Sequence, residues 1–337
     1  MGDAAVIGAG AWGTALAMQL ARCGHRVTLW ERDPGRAEAM QRERENGAYL
    51  AGFTLPAAVT VTADLEAAVA GCPRLVFAVP SAALREAAAA VAPLAEPEAR
   101  VVCATKGLEE DSGLLMHEVL EEVLGARVAG VAILSGPSFA QEVAAGQPTA
   151  VTVAAPALAD AEAVAEWFHC EPVRVYSSDD RVGVELGGAV KNVIAIAAGI
   201  ADGLGLGYNA RAALITRGLA EMARLGEAWG GRAETFAGLA GLGDLVLTCT
   251  GPLSRNHQLG EALGAGTPVA AVDAVLWRRA EGVRSARALH RKARELGVDM
   301  PIAEQVYRVL FEGEDPGRAV AALMHRRPKA EHPADGD

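Results

Sequence analysis

Lysine is nearly absent from this chain. Of 337 residues only four are lysines (Lys106, Lys191, Lys292 and Lys329), and arginine carries the rest of the positive charge. Arginine keeps its proton at any ordinary pH, whereas a dehydrated lysine gives it up, so a lysine in apolar surroundings stands out. Aromatics are scarce at 4% and alanine is abundant, which suits close helix packing better than stacked sheets. The five cysteines, Cys23, Cys72, Cys103, Cys170 and Cys249, form no Cys-x-x-Cys pair. They read as reduced thiols in a cytoplasm. No histidine stands at metal-ligand spacing from another histidine or a cysteine. That excludes zinc-assisted alcohol oxidation, and no metal is expected. Positive charge is in deficit, with a formal net charge of −11. This argues against a nucleic-acid surface but leaves room for a local basic pocket around an anionic substrate. No basic segment precedes an apolar stretch at the N-terminus, so no signal peptide is expected. No apolar run reaches the length of a membrane span; the longest, near residues 189 to 201, is short and contains Lys191.

Two rhythms divide what is present. The first half alternates short β-branched runs with alanine-rich helical stretches. Strands are predicted at Ala4–Ile7, Arg26–Trp30, Leu75–Val79, Val101–Ala104, Val131–Leu134, Thr149–Val153 and Val173–Tyr176. Such alternation reads as a parallel sheet with crossover helices, an α/β Rossmann-type domain. After Ser178 the strand signal fades into helices broken by glycines at 203–207, 230–231, 241–243 and 264–266. The expected division is a dinucleotide-binding domain over 1–178, an all-α substrate and catalytic domain over 179–325, and a disordered tail over 326–337.

Gly8-Ala-Gly-Ala-Trp-Gly13 follows the first strand and opens a helix predicted over Thr14–Arg22. In that context Gly-x-Gly-x-x-Gly is a dinucleotide fingerprint. Gly8 makes the tight turn, Gly10 lets the backbone approach a pyrophosphate, and Gly13 lets the helix pack on the strand. The helix N-terminus then offers free N–H groups and a positive dipole end. The second strand ends Leu29-Trp-Glu-Arg-Asp33. Glu31 suits the ribose hydroxyls of NAD(H), while Arg32 suits the 2′-phosphate of NADP(H), so both cofactors stay open, with a tilt toward NADPH. Lys191 lies in Glu185-Leu-Gly-Gly-Ala-Val-Lys-Asn-Val-Ile-Ala-Ile-Ala-Ala-Gly-Ile200, with no evident solvated face. It is either a stem covering apolar surface or a dehydrated ammonium able to exchange protons near neutral pH.

With these features stand Val79-Pro-Ser81, Thr105-Lys-Gly107, Ser135-Gly-Pro-Ser-Phe-Ala140, Gly187-Gly-Ala-Val-Lys-Asn192, Asn209-Ala-Arg-Ala-Ala-Leu-Ile-Thr-Arg-Gly218, Gly241-Leu-Gly-Asp-Leu245, Leu247-Thr-Cys-Thr250 and Ser254-Arg-Asn256. Together they resemble the bacterial NAD(P)-dependent glycerol-3-phosphate dehydrogenases across residues 3 to 325. The resemblance implies interconversion of dihydroxyacetone phosphate and sn-glycerol 3-phosphate for phospholipid synthesis. It implies that Lys191 is the catalytic acid and base, that Lys106 holds substrate and stabilises developing charge, and that Asp244 orients or balances Lys191. Gly136, Ser138, Ser254, Arg255 and Asn256 would bind substrate with Lys106, Lys191 and Asp244. Ala11, Trp12, Arg32, Lys106, Ala140, Arg255, Arg279 and Glu281 would join Gly8, Gly10 and Gly13 on the cofactor. The family often has serine at position 11 and valine at 279, so Ala11 and Arg279 depart from its pattern. A homodimer is admitted by analogy. The rivals are a dehydrogenase of another small hydroxy acid, against which Ser254-Arg255-Asn256 speaks, and a non-catalytic dinucleotide sensor, which has no need of Lys106, Lys191 and Asp244 together.

Overall fold

The structure, a computed structural model of the chain, describes residues 3–327, 330 and 331. Most of the expected tail therefore lies outside the described residues. Ten strands are present among them: β1 (Ala4–Ile7), β2 (Val27–Trp30), β3 (Glu45–Asn46), β4 (Leu50–Thr54), β5 (Val59–Thr62), β6 (Arg74–Phe77), β7 (Arg100–Cys103), β8 (Gly130–Ser135), β9 (Thr149–Ala154) and β10 (Val173–Ser178). Eight form one sheet in the order β10-β9-β8-β7-β6-β1-β2-β5. The Ala-Ala-Val-Ile run of β1 is fully buried, as a strand covered on both faces requires. Strand order reverses between β1 and β6, and that reversal opens a crevice past the strand ends. The carboxyl ends of β1, β2, β6, β7 and β8, mutually parallel along the sheet, carry Gly8, Glu31, Val79, Lys106 and Gly136 toward one edge.

All seven predicted strands exist within a residue or two. The sheet is not wholly parallel, because β9 returns antiparallel to β8. Strand composition encodes burial but not direction, so the sequence carried no sign of this. Three strands had no prediction. The edge strand β5 and the hairpin β3–β4 are short, and Ala51 and Gly52 of β4 are exposed. Asn46 anchors the hairpin by donating its amide to Ala9 O and Thr14 Oγ1, both at 2.8 Å. A segment with little apolar signal is thereby fastened to the glycine-rich turn.

Beyond Ser178 the chain is helical among the described residues. The central helix, Arg181–Gly203, starts at Asp180, whose carboxylate accepts Gly183 N at 2.9 Å and Arg232 N at 2.9 Å. It is 23 residues long, and its most apolar 18-residue window has mean hydropathy 1.5, long and apolar enough to cross a membrane, which corrects the expectation of too short a run. That apolar window is wholly buried, so here it is the core of the helical half. The helix Arg255–Gly264 lies against it through glycines on both sides. A Cβ on Gly199 would stand 2.1 Å from His257 O, and one on Gly260 would stand 2.1 Å from Ile196 O. One turn further, Gly203 and Gly264 repeat the contact at 2.2 Å from Glu261 O and 2.3 Å from Ile200 O.

The cysteine expectation is corrected for two residues. Cys23, capping the first helix Ala11–Arg22, is bonded to Cys170, just before β10, with Cα atoms 5.6 Å apart. Their separation of 147 residues hid the pairing, since only the fold brings them together. Cys72, Cys103 and Cys249 are free and buried.

Gly199→Ala is expected to lower the urea midpoint at unchanged slope. Backbone overpacking costs about 1–3 kcal/mol, more than the roughly 1 kcal/mol that alanine returns in helix propensity.

Candidate active site

Past the sheet edge the crevice is closed by the helical half, and one carboxylate joins the two. Asp244 begins the helix Asp244–Thr250 and is 1% exposed. Its Oδ2 accepts from Lys106 Nζ at 2.6 Å, and its Oδ1 accepts from Lys191 Nζ. Lys106 comes from the end of β7, and its ammonium also donates to Gly136 O at 3.0 Å. Thr105 fixes that turn by donating to Val79 O at 2.7 Å. Lys191 stands mid-way along the central helix, 6% exposed. Gly187 and Gly188 clear the space around it, for a Cβ on Gly188 would meet Ser135 Oγ at 2.7 Å and the Lys106 stem at 3.4 Å. Ser138 Oγ donates to the same Gly136 carbonyl at 3.0 Å.

Thr248 was not singled out from the sequence as a site residue. Lys191 Nζ donates to Thr248 Oγ1 at 2.8 Å, and that hydroxyl donates to Asp244 O at 2.6 Å. The usable signal was its spacing: residue 248 lies one helical turn beyond 244, on the same face. Asn192 is a second omission. Its Oδ1 accepts from Asn256 Nδ2 at 2.9 Å, and Asn256 Oδ1 accepts from Gly282 N at 2.9 Å. The Asn256 amide therefore spends itself mainly on bracing three helices.

Burial pulls the Lys191 ammonium down to about 8, with Lys106 adding to the fall and Asp244 opposing it. Glu281 faces Lys106, Lys191 and Arg255, yet burial raises its carboxyl above the usual range. Arg255 is lowered, first by burial and then by the nearby Arg279 charge. Ser254 caps the helix Arg255–Gly264 by accepting His257 N at 3.2 Å, so Ser254, Arg255 and Asn256 stand at a helix N-terminus where anions are favoured. Arg279 stacks on Tyr49 of the hairpin, its Cζ 5.3 Å from the ring centre.

The dinucleotide end has the shape the fingerprint requires. A Cβ on Gly13 would stand 1.9 Å from Gly8 O, while beside Gly10 nothing lies within 4 Å. The first helix starts at Ala11 with no side chain on its open N–H groups, and Trp12 Nε1 is buried without a partner. Ala11, Trp12 and Ala140 pack against one apolar cluster. These residues fit a nicotinamide dinucleotide. Glu31, however, is buried with one oxygen already engaged, and Arg32 is exposed.

A glycine turn at the switch point of a doubly wound sheet, facing two lysines on one carboxylate, defines a nicotinamide-dependent dehydrogenase. Comparison with known proteins narrows the class. Residues 3–161 match the family described as NAD-dependent glycerol-3-phosphate dehydrogenase N-terminus, and residues 180–321 match its C-terminus. A relative in Thioalkalivibrio sulfidiphilus, glycerol-3-phosphate dehydrogenase [NAD(P)+], is 55% identical over 97% of this chain and 98% of its own. One of the same name in Aeromonas hydrophila is 49% identical over 97% and 98%. The crystal structure of glycerol-3-phosphate dehydrogenase from Coxiella burnetii is 44% identical, covers 96% of this chain and 98% of its own, and has a TM-score of 0.91. The chain belongs to the NAD-dependent glycerol-3-phosphate dehydrogenase family.

Asp244→Asn leaves two ammonium groups facing a neutral amide. Removing one partner of a buried ion pair costs about 3–5 kcal/mol, so urea unfolding at pH 7 is expected to show a loss of that size. The loss shrinks as pH rises toward about 8, because without the Asp244 charge the folded variant's Lys191 sheds its proton below the wild-type value.

Proposed function

We propose that this chain reversibly reduces dihydroxyacetone phosphate to sn-glycerol 3-phosphate with NADPH or NADH, for glycerophospholipid synthesis. The observation that carries the reading is Asp244 bridging Lys106 and Lys191, with Glu281 in the field of both lysines and of Arg255. Two ammonium groups on one carboxylate leave net positive charge in a water-poor crevice of an otherwise acidic protein. That suits a substrate whose phosphate is a dianion and whose carbonyl oxygen gains charge.

The bound nicotinamide supplies the hydride. Lys191 donates a proton to the carbonyl oxygen in reduction and takes it back in oxidation. An amine at about 8 is matched to both directions near neutral pH. Thr248 and Asp244 hold that amine in place. Lys106 faces the same oxygen as its charge develops. Arg255, with the N-terminus of its helix and the Ser254 hydroxyl, takes the phosphate. Gly136, Ser138 and Asn256 complete the substrate wall. Gly8, Gly10, Ala11, Trp12, Gly13, Arg32, Ala140, Arg279 and Glu281 line the cofactor side. The reading also takes 1–178 and 179–325 as the two domains, a cytoplasmic location, and a homodimer by analogy with the family.

Lys191→Ala is expected to cut kcat by roughly 10³-fold or more while NADPH still binds, measured by initial rates and fluorescence titration. In the wild type, reduction needs the ammonium and so falls above pH 8, while oxidation needs the free amine and rises through the same pH. A flat profile in both directions removes the acid–base role. Arg255→Ala is expected to raise KM for dihydroxyacetone phosphate by about 10²-fold or more; an unchanged KM removes the phosphate assignment.

A further inference from the structure

The end of β2 is where a dinucleotide's adenine ribose is read. A bare acid there accepts from a 2′-hydroxyl and repels a 2′-phosphate. Glu31 is not bare. Its Oε1 accepts Asp33 N at 3.0 Å and Arg36 Nη2 at 2.7 Å, and both bonds use that one oxygen. Arg36 belongs to the first turn of the helix Pro34–Glu43, and its own backbone N–H is held by Asp33 Oδ1 at 2.9 Å. The root of the side chain is thus fixed beside the strand end, while 40% of the side chain remains exposed.

Two further facts point toward a ligand. Arg36 Nε is buried and has no partner, so the guanidinium keeps unspent donor capacity beside Glu31. The guanidinium also lies near the Tyr49 ring, its Cζ 5.8 Å from the centre, with Arg279 at 5.3 Å from the same ring. Tyr49 follows Asn46, which is tied to the glycine turn. The cation group therefore borders the dinucleotide side of the crevice.

Resting on the reading of this crevice as a nicotinamide dinucleotide site, we propose that Arg36 reads the adenosine 2′-phosphate, with Glu31 as its counterion, and that this pair lets one site take both cofactors. With NADPH, Arg36 keeps Nη2 on Glu31 and turns the exposed part of its guanidinium to the phosphate, so the acid is neutralised. With NADH, Glu31 Oε2 accepts from the 2′-hydroxyl. Arg32, exposed beside them, adds charge but does not discriminate. The conflict between an acid and a base at the end of β2 is thereby resolved by a residue further along the chain.

The test is nicotinamide fluorescence titration of the full chain, which reads binding without turnover. Arg36→Ala is expected to raise Kd for NADPH by at least about tenfold while NADH changes by less than about twofold. Arg36→Lys recovers part of the NADPH affinity, and Arg32→Ala weakens NADPH less than Arg36→Ala does. An unchanged melting temperature of Arg36→Ala excludes a folding effect. Equal weakening of both cofactors, no change in either, or Arg32→Ala alone abolishing the NADPH preference overturns the proposal. A wild-type chain that binds neither cofactor sinks the dinucleotide reading and this proposal together. A wild type that binds both, with an Arg36→Ala variant that treats them alike, sinks this proposal only.

Discussion

One carboxylate shared by two ammonium groups holds this molecule to its task. Lys106 arrives from the sheet and Lys191 from the central helix, and Asp244 is their common partner. Taking charges out of water is costly, and the mutual attraction offsets that cost only when geometry is good and the remaining donors are satisfied. Here Gly136 O and Thr248 Oγ1 supply the remaining acceptors. The arrangement leaves an excess of one positive charge. The residual repulsion between the lysines, added to burial, brings Lys191 to about 8. Stability and acidity are thus set by the same three side chains.

The surrounding structure fixes the angle at which the two halves meet that carboxylate. Asp180 ties the end of β10 to the start of the central helix and to Arg232 and Thr235. Asn192 and Asn256 link that helix to the helix Arg255–Gly264, and Gly282 N joins from a third. His117 and Glu185, both buried, connect a helix of the sheet half to the central helix through Glu185, which also accepts from Met116 N. Polar groups buried at these joints specify one mutual orientation, since any other leaves them without partners.

Much of this was legible in the residues. The glycine turn could be read because its glycines answer steric demands: a Cβ on Gly13 would stand 1.9 Å from Gly8 O. The strands of the sheet core were readable as apolar runs, and Lys191 as a charge without a solvated face. Strand direction at β8–β9, the Cys23–Cys170 bond and the β3–β4 hairpin were not readable, because each depends on contacts distant in sequence or on a few polar anchors. Thr248 was visible as a letter in a motif, but its partner was hidden until the helices packed. Asn256 was legible as a candidate ligand group, but its bracing bonds to Asn192 and Gly282 N were not, since they join helices distant in sequence.

The glycine contacts between the two central helices have a consequence for what the site can accommodate. Gly199 and Gly203 on one helix, and Gly260 and Gly264 on the other, form two rows that mesh backbone to backbone. Sliding either helix by one residue would bring a residue with a side chain onto a carbonyl at each contact, so the pair behaves as a ratchet locked in one notch. The amine at 191 and the turn at 254–256, proposed to hold the phosphate, ride on opposite members of that pair. Their separation is therefore a fixed ruler, and a longer or shorter substrate has to be met by the loops, because the helices cannot give.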